Sequence, residues 1–279
     1  MSQPATVEIG PGKYILINDL RMYYESYGEG IPVILLHGGL ETCRMWAPVV
    51  PALSNDYWVI TPDSRGHGRT GASVEAVSYS LMVEDTIQLI QELGLTRPFV
   101  VGYSDGGQIA KLMAINHPGL VRGYMIGGIF NAMTAEWRHL MQGPLGFEGP
   151  GVVDTERVLQ NNPEIVRDLQ EKHDIFHGQD YWKTLLIQSS QRWWSPLELS
   201  RVDFAKIADP TLFWTGDRDV FCPPEQSLEM YRMVKGAELA VIPNADHFSV
   251  TQQIDIVNNI LLNFIRRVVE FESKEGIKT

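Results

Sequence analysis

Apolar positions along the chain follow two periods. Short, almost wholly apolar runs recur at residues 32–36, 57–61, 99–101, 121–126, 211–215 and 239–242. Runs of this kind suit strands buried on both faces of a parallel sheet. Residues 13–17 and 20–27 read as two further strands, joined by the turn signal Asn18-Asp19. Between the runs the period lengthens to that of a helix. Residues 80–93 place Leu81, Ile87, Leu89, Ile90 and Leu93 mostly on one face. Residues 105–116 are apolar at Ile109, Leu112, Met113 and Ile115, and residues 254–269 carry Leu261, Leu262, Phe264 and Ile265. Strands alternating with helices imply crossover units, so the pattern predicts an α/β fold with a mostly parallel eight-stranded sheet flanked by helices. Residues 270–279 are charged and are expected to fray.

Residues 131–201 break this rhythm. They hold helical patches, such as 163–172, but no run that reads as a buried strand. They are rich in large aromatics: Trp137, Phe147, Phe176, Tyr181, Trp182, Trp193 and Trp194. The segment reads as a helical cap inserted into one core domain made of residues 1–130 and 202–279. Most of its aromatics serve to pack the insertion. Trp137, Trp193 and Trp194 are the candidates for touching a substrate's acyl group.

A chain of 279 residues suits one large domain with an insertion. Hydrophobic residues are 44% and charged residues 20%, ordinary for a protein with a sizeable core. The formal net charge of −11 argues against gripping phosphate backbones, so no nucleic-acid partner is expected. Two cysteines, Cys43 and Cys222, make no disulfide framework and fit a reducing compartment. Residues 1–10 lack the basic and apolar regions of a signal peptide. No run approaches about 18 consecutive apolar residues, so no membrane partner is expected either. The reading is a soluble, cytoplasmic protein.

The chemistry centres on Gly102-Tyr103-Ser104-Asp105-Gly106, a G-x-S-x-G pattern between a predicted buried strand and a predicted helix. A sharp turn there, flanked by small residues, raises the serine hydroxyl above the sheet. A serine hydroxyl is a weak nucleophile and needs a base. Of seven histidines, His37 and His67 sit in glycine turns, His117 ends a helix, and His139, His173 and His177 lie in the insertion. His247 follows the last predicted strand, at the carboxyl edge of the sheet where sites collect, and is the expected base. The acid that orients it is sought in Gly216-Asp217-Arg218-Asp219. Asp219, further out on the loop, is favoured; Asp217 could instead pair with Arg218 or hold the turn. Backbone amides of Gly39, after His37-Gly38, and of Asp105 are the expected oxyanion donors. No histidine–carboxylate cluster has metal-ligand spacing, so neither a metal nor an organic cofactor is expected.

These motifs resemble the α/β-hydrolase superfamily over nearly the whole chain. The carrying residues are His37-Gly38-Gly39, Asp63-Ser64-Arg65-Gly66-His67-Gly68, the serine pentapeptide, Gly216-Asp217-Arg218-Asp219 and Asp246-His247-Phe248. The resemblance implies a triad in the order Ser104, Asp219, His247. It also implies a hydrolase whose relatives include esterases, lactonases, aminopeptidases, perhydrolases, carbon–carbon hydrolases, dehalogenases and epoxide hydrolases. The last two use aspartate where this chain has Ser104. Ser104-Asp105-Gly106-Gly107 is also similar to valacyclovir hydrolase-like enzymes. That implies a role for the Asp105 side chain in holding a substrate's α-amino group, although an acid in a helix's first turn is favoured in any case. The expected partner is therefore a small to medium carboxylic ester, with α-amino esters a refinement. The alternatives are lactone, amide or perhydrolysis chemistry, or a small-molecule receptor that keeps the triad.

Overall fold

Five of the six apolar runs become inner strands of one eight-stranded sheet; the sixth, 239–242, forms an edge strand that is only partly buried. The computed structural model describes residues 12–71, 77–143, 145–195 and 198–276. In chain order the strands are β1 (Lys13–Ile17), β2 (Leu20–Tyr27), β3 (Ile31–Leu36), β4 (Tyr57–Pro62), β5 (Phe99–Tyr103), β6 (Gly123–Gly127), β7 (Thr211–Gly216) and β8 (Glu238–Ile242). Their spatial order is β1-β2-β4-β3-β5-β6-β7-β8. The β1–β2 and β2–β4 pairs are antiparallel, and every later pair is parallel. Every residue of β5, β6 and β7 is buried, which is why these strands read as continuous apolar runs rather than alternating ones.

Helices cover both faces. Helices α1 (Tyr79–Glu92) and α2 (Asp105–Asn116) pack Val83, Ile90, Ile109 and Met113 against Tyr124 and Phe213 on one face. On the other face, Leu261, Phe264 and Ile265 of the C-terminal helix Ile254–Lys274 meet Val33, Val101 and Trp214. That helix corrects one expectation. It runs through Lys274, past the point where fraying was expected, because Glu272 turns inward and is only 4% exposed. Glu272 accepts from Arg122 Nη1 at 2.7 Å and pairs with Arg97 at 2.8 Å. Residues 277–279 and the leader reading at 1–10 lie outside the described residues.

The Arg122–Glu272 pair yields a prediction. Glu272→Gln leaves the Arg122 guanidinium, 3% exposed, without a counter-charge. Breaking one side of such a pair costs about 3–5 kcal/mol. Urea unfolding should show that loss, and a change below about 1 kcal/mol would contradict the assignment.

Between β6 and β7, the described residues of 131–201 include α3 (Ala135–Gln142), α4 (Thr155–Asn161), α5 (Pro163–Leu169) and α6 (Tyr181–Trp193). The predicted patch 163–172 ends as an α-helix at Leu169 and continues as a π-turn, Gln170–Asp174. A small hairpin also appears, Phe147–Gly149 with Val152–Val153, too short to carry a period in the sequence. Trp137, Met141, Phe147, Leu169, Trp182 and Leu185 give the segment its own apolar cluster. His173 fastens it to the core: Nδ1 accepts from the Gly68 amide at 2.9 Å and Nε2 donates to the Leu40 carbonyl at 3.0 Å. Burial pushes the His173 imidazole down to about 4, so it stays neutral and serves as one donor and one acceptor. Among the described residues, no helix is long and apolar enough to cross a membrane.

Candidate active site

Ser104 joins β5 to α2 with φ +56° and ψ −118°. A non-glycine residue in such a conformation costs about 1–3 kcal/mol and persists only where its surroundings impose it. Here the Ser104 amide donates to the Gly127 carbonyl at 2.9 Å. The flanking glycines permit the close approach. A Cβ on Gly102 would lie 2.0 Å from the Gly106 carbonyl oxygen, and one on Gly106 would lie 2.1 Å from that of Leu36. The hydroxyl is thereby lifted off the sheet at the start of α2.

His247 Nε2 lies 3.1 Å from Ser104 Oγ, and His247 Nδ1 lies 2.8 Å from Asp219 Oδ2. The other Asp219 oxygen accepts from the amides of Phe221 and Cys222 at 3.0 and 2.7 Å. A carboxylate only accepts, so Nδ1 carries the imidazole proton and Nε2 offers its lone pair to the serine hydroxyl. Asp217 takes the other role considered for it. Its Oδ1 accepts from the Ala245 amide at 3.1 Å and so holds the turn, and the amides of Ala245 and Asn244 keep its carboxyl below the usual range. The ligand atoms of Asp219, Cys222 and His247 lie within 4.8 Å of one another, close enough to hold a cation. The Asp219 oxygens are already engaged, however. Burial and the neighbouring Asp219 push the Cys222 thiol well up.

His37 anchors the loop after β3, as its place in a glycine turn suggested. Its Nδ1 donates to the Gly38 carbonyl at 2.7 Å, and Nε2 accepts from the Ser64 amide at 2.9 Å. Gly39 lines the cavity in front of Ser104. A Cβ there would meet both Asp105 Oδ2 and Trp193 Cζ2 at 2.8 Å, so only glycine fits. The Asp105 amide heads α2, where first-turn N–H groups have no carbonyl within the helix.

The Asp105 side chain, read as a candidate holder of an α-amino group, is tied to other side chains of the protein. It is 4% exposed, and both its oxygens are engaged. Oδ1 accepts from Tyr79 Oη at 2.7 Å and Trp193 Nε1 at 2.8 Å, and Oδ2 accepts from Arg192 Nη2 at 3.2 Å. The charge of this carboxylate is thus already paired with the Arg192 cation, which does not itself line the cavity among the described residues. Tyr79 and Arg192 were missed as site residues. A signal existed for Arg192, since Trp182, Leu185, Ser189 and Arg192 recur on one buried face of α6.

The cavity has a volume of about 450 Å³ and runs from Ser104 and His247 between core and insertion. Trp137 and Trp193 line it, together with Met45, Phe130, Met141 and Phe147. Trp194 does not. It packs edge-on against Trp137 at 5.5 Å, within the insertion's own cluster.

The 2-hydroxy-6-oxo-2,4-heptadienoate hydrolase of Pseudomonas putida is 27% identical over 90% of this chain and 96% of its own length. A soluble epoxide hydrolase of Corynebacterium sp. is 35% identical, but over only 38% of this chain and 37% of that protein. Among solved structures, a meta-cleavage product hydrolase from Pseudomonas fluorescens superposes with a TM-score of 0.74. It is 26% identical, over 94% of this chain and 99% of that one. The model of the alpha/beta hydrolase family matches residues 33–259. The chain belongs to the alpha/beta hydrolase family.

Proposed function

We propose that this hydrolase cleaves small to medium carboxylic esters through an acyl-enzyme on Ser104. The carrying observation is the unbroken hydrogen-bond line from Ser104 through His247 to Asp219, opening on an apolar cavity. As Oγ attacks the ester carbonyl carbon, His247 Nε2 takes its proton. The carbonyl oxygen becomes an alkoxide facing the amides of Gly39 and Asp105, each worth about 2.7–4 kcal/mol by analogy with measured donors. Collapse expels the alcohol, protonated by His247, and leaves the acyl group on Oγ. Water, deprotonated by the same imidazole, then releases the acid and restores the serine.

A cavity of about 450 Å³ lies in the range that holds small to medium ligands. The dienoate in the name of the Pseudomonas putida relative is a carboxylate. No lysine or arginine lines this cavity among the described residues, which favours an uncharged ester here. An esterase turns over a p-nitrophenyl alkanoate many times. A single slow turnover with a ligand-dependent rise in Tm would mark a receptor instead. Asp219→Asn should reduce kcat by about 10⁴-fold, as loss of the orienting acid does in other triads. Asp217→Asn should leave kcat within about tenfold, since it loosens a turn only. Steady-state rates that reverse this order would move the acid to Asp217.

A further inference from the structure

Four carboxylates stand on the wall of the Ser104 cavity: Glu41, Asp105, Glu164 and Asp168. Such a wall would draw cations, yet each acid already faces a basic side chain from the insertion. Lys172 Nζ lies 2.9 Å from Glu41 and 2.6 Å from Asp168, Arg167 pairs with Glu164, and Arg192 Nη2 lies 3.2 Å from Asp105. None of the three bases lines the cavity among the described residues. The pairs differ in weight. Those of Glu41, Glu164 and Asp168 lie on partly exposed side chains, where water screens them. Asp105 and Arg192 are 5% and 1% exposed, so each feels the other with little screening. Arg192 Nη2 also donates to Ser189 Oγ at 3.0 Å, while Nε and Nη1 are buried without a partner, and no second carboxylate pairs with the guanidinium among the described residues.

We propose that the Asp105–Arg192 pair determines substrate charge. Each cancels the other beside Ser104, so the cavity accepts uncharged esters and rejects both carboxylate-bearing and ammonium-bearing ones. An incoming carboxylate meets the Asp105 oxygens in front of Arg192. An incoming ammonium finds those oxygens already taken by Tyr79, Trp193 and Arg192. A charge left unpaired on burial is a strong discriminator, because rejection comes from the unpaired group rather than from lost attraction. The inference rests on the ester-hydrolase reading and adds the substrate's charge to it.

The test uses three aryl esters of equal acyl length, ending in methyl, carboxylate or ammonium. The wild type should favour the methyl ester by about 100-fold in kcat/KM over either charged one. Asp105→Asn frees the guanidinium and should shift the carboxylate-to-methyl ratio upward by about tenfold or more. Arg192→Gln frees the carboxylate and should raise the ammonium-to-methyl ratio instead. The double variant Asp105→Asn/Arg192→Gln removes both charges and should return the preference to the methyl ester. Equal losses on all three esters in both single variants would mean that the pair only fastens the insertion, and would overturn the proposal. Should a single variant fail to fold, the wild-type profile still decides. Comparable rates on all three esters overturn the charge proposal and leave the ester reading standing. No turnover of any of the three overturns both.

Discussion

Ser104→Ala and His247→Ala are each expected to lower kcat by about 10⁴-fold or more, and the double variant to be no slower than the worse single one. The geometry gives the reason. Oγ faces the cavity, and His247 Nε2 is held 3.1 Å from it by a carboxylate whose second oxygen is tied to two backbone amides. Removing either member breaks the same proton transfer, so the second loss adds little. Residual activity should remain, because the proposed oxyanion donors, the amides of Gly39 and Asp105, are left untouched. Alanine at position 104 keeps the Cβ and the same φ of +56°, so Tm should barely move and the loss is chemical rather than structural. Losses that multiply in the double variant would show two independent contributions and contradict a triad acting as a unit.

Lys111→Met is expected to stabilise the protein at neutral pH, with a gain that disappears as the pH rises. Lys111 lies on α2, seven positions after the serine, and is 0% exposed. Among the described residues its Nζ reaches only the Phe130 carbonyl, at 3.4 Å, which also accepts from Gln108 Nε2 at 2.9 Å. The nearby Cys222 thiol is pushed well up and stays neutral, so it supplies no counter-charge. Burial pushes the Lys111 amine from 10.5 down to about 7. The sign follows from proton counting. Between about 7 and 10.5 the unfolded chain binds a proton that the native chain does not, so stability rises with pH across that window. As pH falls towards 7 the native state loses about 1.4 kcal/mol per pH unit, approaching ~5 kcal/mol in all. Methionine fills a similar volume and does not titrate. Urea unfolding at about pH 7, 8.5 and 10 should show the variant ahead by several kcal/mol at the first and level by the last. A difference that does not change with pH would mean that Lys111 keeps its proton in the fold.

The sequence revealed most where one local pattern sufficed. β5, β6 and β7 are buried on both faces, so their apolar runs needed no knowledge of their neighbours. Ser104 was legible because the strand, the flanking glycines and the helix lie within about twenty residues. Asp219 and His247 were readable as candidates because each follows a readable strand at the same sheet edge. Contacts between distant segments were hidden. Asp105 and Arg192 lie 87 positions apart, and nothing in either neighbourhood shows that the insertion folds back to cancel that carboxylate. Glu272 looked like one more charge in a solvated tail, because its partner Arg122 lies 150 positions away. Trp194 adjoins Trp193, but one step along a helix turns a side chain by about 100°, away from the cavity and towards Trp137.

The most direct test of the central claim is covalent. A fluorophosphonate probe reacts with an activated serine oxygen and stays there, so its position can be read by peptide mass spectrometry. One adduct per chain is expected, on Ser104 in the peptide spanning β5 and α2, and Ser104→Ala should abolish it. Labelling that persists at full yield in Ser104→Ala, or an adduct that maps to another residue, would contradict Ser104 as the nucleophile.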